Sequence, residues 1–281
     1  MVGRLQPRPL VCVLGDLLFD VIVRPVRPLA LGSDVRAATE AGAGGQAANV
    51  AAWAVALGGR GRYVGKRAAD AAGAVLAAEL ERRGVELVGP VVDGRTGVVV
   101  SLVDRAGERT MASDRGVAPE LRPDEIEPGL LDGCRTLHVS GYALAWEPLA
   151  DAAERATAHA QERGVEVSAD ISAATLVDEA FRGRLERIRP DVLFANEDER
   201  DALGGELPAP TWVLKRGPRG CVFSRDGRVV ELPASKADVV DSTGAGDALA
   251  AGFLLGGELD EAAERAMRAA ARCVSKLGSM P

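Results

Sequence analysis

Strand-like and helix-like stretches alternate regularly through the second half of the chain. Short apolar runs predict strands at 136–140, 165–170 and 192–195, and the stretches between them predict helices at 148–163 and 174–187. Near the amino terminus, Leu10–Leu14 is a continuous apolar run, which is typical of a strand buried on both faces. Strands that alternate with helices form parallel sheets. The sequence therefore predicts an α/β fold with a mostly parallel central sheet.

Composition limits the class of partner. The chain has 281 residues, 47% of them hydrophobic, which is enough for one large domain with a sizeable core. Its net charge of −7 comes from 41 acidic and 34 basic residues spread along the sequence, so no basic patch indicates a nucleic-acid partner. Neither a membrane span nor a signal peptide is predicted, because no long apolar run is present. We expect a cytoplasmic protein that binds a small molecule.

The cysteines and histidines suggest structural roles. Cys12, Cys134, Cys221 and Cys273 lie far apart and form no CxxC pair, so we interpret them as reduced core residues. Of the two histidines, His138 lies in an apolar run and His159 in an alanine-rich helix, which indicates packing rather than catalysis.

Two segments depart from the regular alternation. Residues 21–39 are short β-like pieces broken by prolines and a glycine. Residues 97–103 and 109–111 predict two strands, and the five-residue loop 104–108 between them fits a β-hairpin. We predict a single domain, residues 1–281, with a lid formed by segments at about 21–40 and 95–112.

The stretch from Val239 to Asp247 predicts a strand end, a tight turn and a helix start. Gly244, Ala245 and Gly246 are small enough for a phosphate to approach unpaired backbone N–H groups. Asp247 falls in the first helical turn, where it is placed to accept a proton from a bound hydroxyl. This pattern indicates phosphoryl transfer. The alternative is a loop whose aspartate only caps the helix.

Polar residues after the first strand predict a ligand site. Asp16 and Asp20 follow Leu10–Leu14 at the carboxyl edge of the sheet, where open α/β sheets bind ligands. Asp20 is suited to accept two sugar hydroxyls, although an aspartate that only forms a turn fits the pattern equally.

A glycine-rich segment leads into the next helix. Gly42, Gly44 and Ala47 match the dinucleotide pattern GxGxxA, but no apolar strand precedes them, so we favour a sugar pocket lined by backbone. Gln46 and Asn49 are three residues apart on one helix face, where their amides can meet hydroxyls of one ligand. Helix capping by these amides is the alternative.

Two later segments suggest a nucleotide and its metal. Asn196 and Glu199 are spaced to face one point from a helix start and to hold the hydration shell of Mg²⁺, or else they form an acidic helix start only. Gly217 and Gly220 lie in a turn between two predicted strands. Their small size lets a nucleotide lie against the backbone, or serves the turn alone.

In this order, the motifs resemble those of the ribokinase-like, PfkB-type family of carbohydrate kinases. Residues 44–49, Gly-Gly-Gln-Ala-Ala-Asn, resemble the family's early substrate segment, and residues 241–247, Asp-Ser-Thr-Gly-Ala-Gly-Asp, resemble its late signature. The spacing between the two also agrees. Asn196, Glu199 and the turn at 217–220 fall where the family has its magnesium and nucleotide segments, so the resemblance covers essentially the whole chain.

The resemblance implies a ribokinase-like three-layer α/β/α fold with a mostly parallel central sheet and a small β-sheet lid, which often also forms a dimer contact. It implies ATP and Mg²⁺, with Asp247 as the base. The remaining roles that it implies are an anion hole at Gly244, Ala245 and Gly246, sugar binding by Asp16, Asp20, Gly45, Gln46 and Asn49, and nucleotide binding by Asn196, Lys215, Gly217 and Gly220. Glu199 would hold Mg²⁺ through water, and Asp241 and Thr243 would hold a monovalent cation such as K⁺.

Some positions differ from the family pattern. Ser242 replaces a usual Thr, and Ala248-Leu249 stands where an aromatic residue commonly follows the base. Gln46 stands where ribokinases proper resemble one another in carrying Lys, and Leu18 occupies a position where they offer a polar side chain to ribose. The resemblance therefore does not imply ribose itself, and leaves another sugar as the substrate open.

Two alternatives stay open. A nucleoside kinase of the same fold needs an aromatic side chain to stack on the base, and Phe19 or Tyr142 would supply it. A catalytically silent sugar-binding regulator would keep the pocket without needing Asp247.

Overall fold

The computed structural model describes residues 8–104 and 109–281. Its strands are β1 Leu10–Leu14, β2 Leu18–Pro25, β3 Ala37–Gly44, β4 Arg60–Val64, β5 Arg67–Ala68, β6 Glu86–Val88, β7 Val91–Val92, β8 Thr96–Val103, β9 Arg109–Gly116, β10 Thr136–Ser140, β11 Glu166–Asp170, β12 Val192–Asn196, β13 Thr211–Lys215, β14 Cys221–Arg225 and β15 Arg228–Leu232. Its α-helices are α1 Gln46–Ala56, α2 Ala71–Arg82, α3 Gly141–Ala145, α4 Leu149–Glu162, α5 Glu179–Ile188, α6 Glu197–Leu203, α7 Ala245–Leu254 and α8 Leu259–Val274.

The central sheet has nine strands within the described ranges, in the order β15-β14-β13-β12-β11-β10-β1-β4-β6. The strands from β13 through β6 pair in parallel, and β14 and β15 add an antiparallel edge. All five residues of β1 are buried, as its continuous apolar sequence predicted. The prediction of a mostly parallel sheet is confirmed.

Helices cover both faces of this sheet because the side chains of each strand alternate between them. Val11 and Val13 of β1 pack into a core with α1, α2, α7 and α8. Leu10, Cys12 and Leu14 point into a second core with α3, α4 and α5. The result is a helix–sheet–helix arrangement, with the carboxyl ends of the parallel strands at one edge.

A separate four-stranded sheet, in the order β3-β2-β8-β9, lies beside that edge. β2 pairs antiparallel with β3 and parallel with β8, and β8 pairs antiparallel with β9. Residues 105–108 of the predicted hairpin loop lie outside the described residues, although Val103 pairs with Arg109 across it. β9 extends to Gly116, beyond the predicted end of this segment.

Capping explains where two helices begin. α5 was expected to begin at residue 174, but Asp178 accepts a hydrogen bond from the Phe181 N–H at 2.8 Å and starts the helix there. The α2 helix was not predicted. Its cap, Asp70, accepts from Gly73 N at 2.7 Å and from Thr96 N at 2.8 Å, so it also ties α2 to β8.

The expectation that all cysteines are reduced was wrong for two of them. Cys12 and Cys134 form a disulfide with their Cα atoms 6.1 Å apart, whereas Cys221 and Cys273 are buried free thiols. The disulfide was not apparent from the sequence because the pair is separated by 122 residues and meets only where the segment before β10 lies beside β1.

His138 is fully buried, and its Nδ1 lies 2.7 Å from Ser168 Oγ. Burial lowers the pKa of His138 to about 4, so it is neutral at physiological pH and packs as expected. In the described part of the chain, no helix combines the length and the apolar character that crossing a bilayer requires.

Candidate active site

The two glycine-rich motifs meet at one point. Asn49 in the first turn of α1 donates from Nδ2 to Oδ2 of Asp247, in the first turn of α7, at 2.7 Å, although the two residues are 198 positions apart. The Asp247 side chain is partly exposed, as a group that receives a proton from a ligand must be. The structure thus joins the predicted base to the predicted sugar-binding helix.

Asp247 has the electrostatic properties of a general base. Burial raises its pKa to about 7, and the negative charge of Asp170 adds to the rise, while the Asn49 hydrogen bond and Lys215 oppose it. A carboxylate with a pKa near the working pH is a better proton acceptor than an ordinary aspartate.

The start of α7 forms an anion cradle. Gly244 is the N-cap with φ +76°, a left-handed conformation that favours glycine, and it provides no capping side chain. The N–H groups of Gly246 and Asp247 therefore have no partner inside the helix, at the positive end of its dipole, while Ala245 N lies 3.3 Å from the Ser242 carbonyl oxygen. Such a turn binds phosphate oxygens.

Asp241 links this turn to the carboxyl-terminal segment. Its Oδ1 accepts from the backbone N of Thr243 at 2.9 Å and from Thr243 Oγ1 at 2.6 Å. Its Oδ2 accepts from Gly278 N at 3.1 Å. The residues predicted for a monovalent cation therefore lie together, and the same contacts hold the turn in place.

Two further aspartates, Asp16 and Asp20, lie near Asp247. Asp20 in β2 has its pKa raised to about 7 by burial, with Asp16 and Asp247 as neighbouring negative charges. Asp16 is buried, and its Oδ1 has no hydrogen-bond partner among the described residues. Two carboxylates with unused acceptor capacity are suited to bind sugar hydroxyls.

The glycine before α1 allows the start of this helix to pack closely against the backbone of Asp16. Gly45 has φ +93°, and a Cβ added there would lie 2.6 Å from the Asp16 carbonyl oxygen. Gln46 follows it, and its Oε1 accepts hydrogen bonds from Ser140 Oγ and, at 2.6 Å, from Ser172 Oγ. Because these two hydrogen bonds hold the amide oxygen of Gln46, its NH₂ group is oriented to donate to a ligand.

Arg115 reaches Asp16 from the four-stranded sheet. It lies at the end of β9 and forms an ion pair with Asp16. Its guanidinium carbon is 4.0 Å from the ring centroid of Tyr142 and 4.8 Å from that of Trp146. The two rings are parallel to within 3°, with centroids 6.2 Å apart. The site therefore contains a cation and an aromatic pair beside the aspartates that were predicted to bind a sugar.

The residues that were predicted to bind the nucleotide include Lys215, which has two carboxylate neighbours. Its Nζ is 2.7 Å from Asp170 Oδ2 and 3.7 Å from Glu199 Oε2. Burial alone would lower the pKa of Lys215, but the two carboxylates outweigh it and the pKa is raised, so the side chain is charged. A Cβ added at Gly246 would lie 3.7 Å from Nζ, which places this charge beside the anion cradle.

Asn196 and Glu199 form a capping box at the start of α6. Asn196 Oδ1 accepts from Glu199 N at 2.8 Å, and Glu199 Oε2 accepts from Asn196 N at 2.6 Å. The two residues are brought together as predicted, through helix capping. Across residues 8–104 and 109–281, no group of three or more His, Cys, Asp and Glu side chains is arranged to bind a metal directly.

The two turn glycines differ in their surroundings. A Cβ added at Gly220 would lie 2.0 Å from the Leu232 carbonyl oxygen, so this glycine serves the packing of the turn against β15. A Cβ added at Gly217 would meet nothing within 4 Å, so its backbone borders open space. Gly217 is the one of the pair that a nucleotide can approach.

Sequence reasoning missed several residues of the site. Asp170 and Ser140 each end a predicted strand at the carboxyl edge of the sheet, and that position was a usable signal. Arg115, Ser172 and Trp146 gave no local signal, because their contacts with the site exist only between distant segments.

Comparison with known proteins agrees with this geometry. A family model described as pfkB family carbohydrate kinase matches residues 8–281. The chain is 33% identical over 272 residues to an ATP-dependent ribose-1-phosphate kinase from Halopiger xanaduensis, covering 92% of this chain and 88% of that protein.

Solved structures show the same architecture. The crystal structure of adenosine kinase from Sinorhizobium meliloti superposes with a TM-score of 0.88 at 27% identity, covering 98% of this chain and 96% of that one. Ribokinase from Thermotoga maritima superposes with a TM-score of 0.78 at 22% identity, covering 97% and 96% of the two chains, and supports the fold alone. The expected ribokinase-like α/β fold is confirmed.

Proposed function

Because the chain belongs to the pfkB family of carbohydrate kinases, whose members transfer a phosphoryl group to an alcohol group of their substrate, we propose that it transfers the γ-phosphate of ATP with Asp247 as the general base. The observation that carries this proposal is the 2.7 Å contact between Asn49 and Asp247, which joins the sugar-binding helix to the anion cradle.

The residues divide the work of the reaction. Asp16, Asp20, Gly45, Gln46 and Asn49 hold the sugar so that its hydroxyl faces Asp247. As the hydroxyl oxygen bonds to phosphorus and the bond to the ADP oxygen breaks, Asp247 accepts the hydroxyl proton. The N–H groups at Gly244, Ala245 and Gly246 stabilise the charge on the transferring phosphate, and such donors are worth about 10²- to 10³-fold each. Asn196, Lys215 and Gly217 border the nucleotide, and Gly220 shapes the turn that carries Gly217.

The donor set limits what Mg²⁺ can contact. Both Glu199 oxygens accept hydrogen bonds from Asn196, but each keeps a second lone pair for a water on the metal. We therefore propose Glu199 as a partner of the magnesium hydration shell, where the ion would neutralise phosphate charge. Asp241 and Thr243, with the backbone at Gly278, are the proposed site for K⁺.

A nucleoside kinase is the second candidate, and the Tyr142–Trp146 ring pair favours it. Ribose-1-phosphate and adenosine, the compounds named for two of the similar proteins, are both riboses with a substituent at C1. The Arg115 guanidinium is suited to pair with a phosphate at C1, and the Tyr142–Trp146 ring pair is suited to stack on a planar base at C1. We propose a ribose that is substituted at C1 as the substrate class.

An ADP-formation assay tests the function. The panel contains ribose, ribose-1-phosphate, fructose and adenosine, each with Mg²⁺ or EDTA and with K⁺ or choline. We expect turnover of at least one C1-substituted ribose, loss of it with EDTA, and a higher rate with K⁺. Faster turnover of fructose than of both substituted riboses would contradict the substrate class. No turnover on any compound would favour a sugar-binding regulator.

The rate is expected to depend on pH through the base. Asp247 must be ionised to accept a proton, and burial raises its pKa to about 7, so kcat should be half-maximal near pH 7 and level off about one pH unit above it. Steady-state rates from pH 5 to 9 at saturating substrates check this. A profile that is flat over this range would contradict the assignment.

The four-stranded sheet is the proposed lid and dimer contact of a single domain. Met111 on β9 and Leu31 between β2 and β3 are exposed there, with 58% and 105% relative accessibility. Light scattering should give the mass of a dimer, and a monomeric mass at micromolar concentration would contradict this proposal.

We propose a cytoplasmic location because the phosphate donor is ATP. The Cys12–Cys134 disulfide is unusual for that compartment. Fractionation of cells that express the protein, followed by immunoblotting, should find it with cytoplasmic marker enzymes. Its recovery in a fraction outside the cytoplasm would contradict this proposal.

A further inference from the structure

The segment that follows α8 folds back beneath the active site. The Ser279 carbonyl accepts a hydrogen bond from Trp53 Nε1 of α1 at 2.8 Å, and Ser279 is only 4% exposed. A Cβ added at Gly244 would lie 2.6 Å from Ser279 Cβ. Ser279 is therefore fixed between the sugar-binding helix and the anion cradle.

The hydroxyl of Ser279 begins a chain of hydrogen bonds to the base. Ser279 Oγ donates to Asn49 Oδ1 at 3.0 Å, and Asn49 Nδ2 donates to Asp247 Oδ2 at 2.7 Å. We propose that Ser279 is a positioning residue, which sets the orientation and donor strength of the Asn49 amide toward Asp247. This inference rests on the proposed role of Asp247 as the base.

Two physical effects connect Ser279 to Asp247. A donor on the amide oxygen limits rotation of the Asn49 side chain, so that Nδ2 stays directed at the carboxylate. It also polarises the amide, which makes the N–H a stronger donor, because successive hydrogen bonds reinforce one another. Both effects favour the ionised form of Asp247 and hold its second oxygen toward the hydroxyl of the substrate.

The surroundings of Asp247 make this contact important. Among the described residues, Asp16, Asp170 and Lys215 are the charged groups that act on its pKa, and Asp247 in turn raises the pKa of Asp20, Tyr142 and Cys273. Asp16 and Asp170 raise the pKa of Asp247, as burial does, whereas the Asn49 hydrogen bond and Lys215 lower it. Weakening the Asn49 bond leaves the opposing influences in place, so the pKa of Asp247 should rise.

Ser279→Ala tests the proposal. We expect kcat to fall about three- to tenfold at pH 7 and the rising limb of the kcat–pH profile to move upward by about 0.5 to 1 pH unit. The loss should be smaller at pH 9, where the base is ionised in both proteins. The matched control is Ser275→Ala, because that hydroxyl donates to the Arg272 carbonyl at 2.9 Å and, within the described residues, no hydrogen bond connects it to Asn49 or Asp247. It should leave the profile unchanged.

A double-mutant cycle separates positioning from a loosened segment. In the Asn49→Ala background, Ser279→Ala should have no further effect on kcat, because the relay is already broken. The inference would be overturned if Ser279→Ala lowered kcat equally in the wild type and in Asn49→Ala and left the rising limb of the kcat–pH profile in place. If the alanine variant does not fold, Ser279→Cys keeps the volume with a weak donor and should give the same shift.

The Asp247→Asn variant distinguishes a failure of the proposed base from a failure of the role of Ser279. If Asp247→Asn retains full kcat, the base assignment fails and the role of Ser279 fails with it. If Asp247→Asn abolishes turnover but Ser279→Ala changes neither kcat nor its pH profile, only the role of Ser279 fails.

Discussion

Asp247→Asn is expected to lower kcat by about 10²- to 10⁴-fold while the protein stays folded and binds its ligands. The amide has the size of the carboxylate, and its oxygen still accepts the hydrogen bond that Asn49 Nδ2 donates at 2.7 Å. What it cannot do is take a proton from the substrate hydroxyl. Single-turnover rates, with nucleotide and sugar affinities from calorimetry, measure the two properties separately.

The same substitution should not destabilise the protein at pH 8. Burial raises the pKa of Asp247 to about 7, so ionisation is harder in the folded protein than in the unfolded chain. A group of this kind favours the folded state below its unfolded pKa, and that contribution is lost as the pH rises through about 7. A neutral asparagine avoids the loss, so the melting temperature at pH 8 should be equal to or higher than that of the wild type.

Asp260→Asn is the matched control for Asp247→Asn. Asp260 also lies in the first turn of a helix, α8, but it pairs with Arg228 at the surface, away from the site. Its variant should keep full activity. If Asp247→Asn showed an unchanged kcat as well, the carboxylate would have no part in proton transfer.

The parts of the fold and site that sequence could predict are those with local signals. Leu10–Leu14 has the unbroken hydrophobicity that burial on both faces requires. Residues 244–247 combine small side chains with an acid at a helix start, and the structure places them there. Asn49 and Gln46 lie at the start of a helix that follows Gly45, whose φ is positive. A glycine directly before a helix start is also a local signal in the sequence.

The remaining parts of the site depend on contacts that only the folded chain creates. Arg115 reaches Asp16 from β9, across 99 positions of sequence, and no periodicity identifies it. Ser279 reaches Asn49 across 230 positions, from a short segment without regular structure. The sequence could identify Asp247 as a candidate base, but not the side chains that set its orientation and pKa.

Gly244→Ala should lower both the stability and the activity of this protein. Gly244 has φ +76°, so an alanine there costs about 1 to 2 kcal/mol in backbone conformation alone. Its Cβ would also lie 2.6 Å from Ser279 Cβ and 2.8 Å from Ser279 Cα. Either the turn or the carboxyl-terminal segment must therefore move, because both contacts involve atoms close to the backbone.

Both movements affect the reaction. If the turn moves, the N–H groups of α7 leave the position of the transferring phosphate, and losing one fixed donor costs about 10²- to 10³-fold in kcat. If the segment moves, Ser279 separates from Asn49 and the base loses its support. We expect kcat to fall at least about 10²-fold and the melting temperature to fall by several degrees, as measured by steady-state kinetics and thermal unfolding.

Gly227→Ala separates the backbone cost of Gly244→Ala from its effect on catalysis. Gly227 has φ +82°, close to that of Gly244, but a Cβ added there meets nothing within 4 Å. Gly227→Ala should lose about as much stability as the backbone conformation alone costs in Gly244→Ala, and it should keep full kcat. If Gly244→Ala matched Gly227→Ala in both stability and kcat, catalysis would tolerate displacement of this turn, and the anion cradle would have to be sought elsewhere. A loss of kcat specific to Gly244→Ala would instead tie phosphoryl transfer to the close packing of Ser279 against the start of α7.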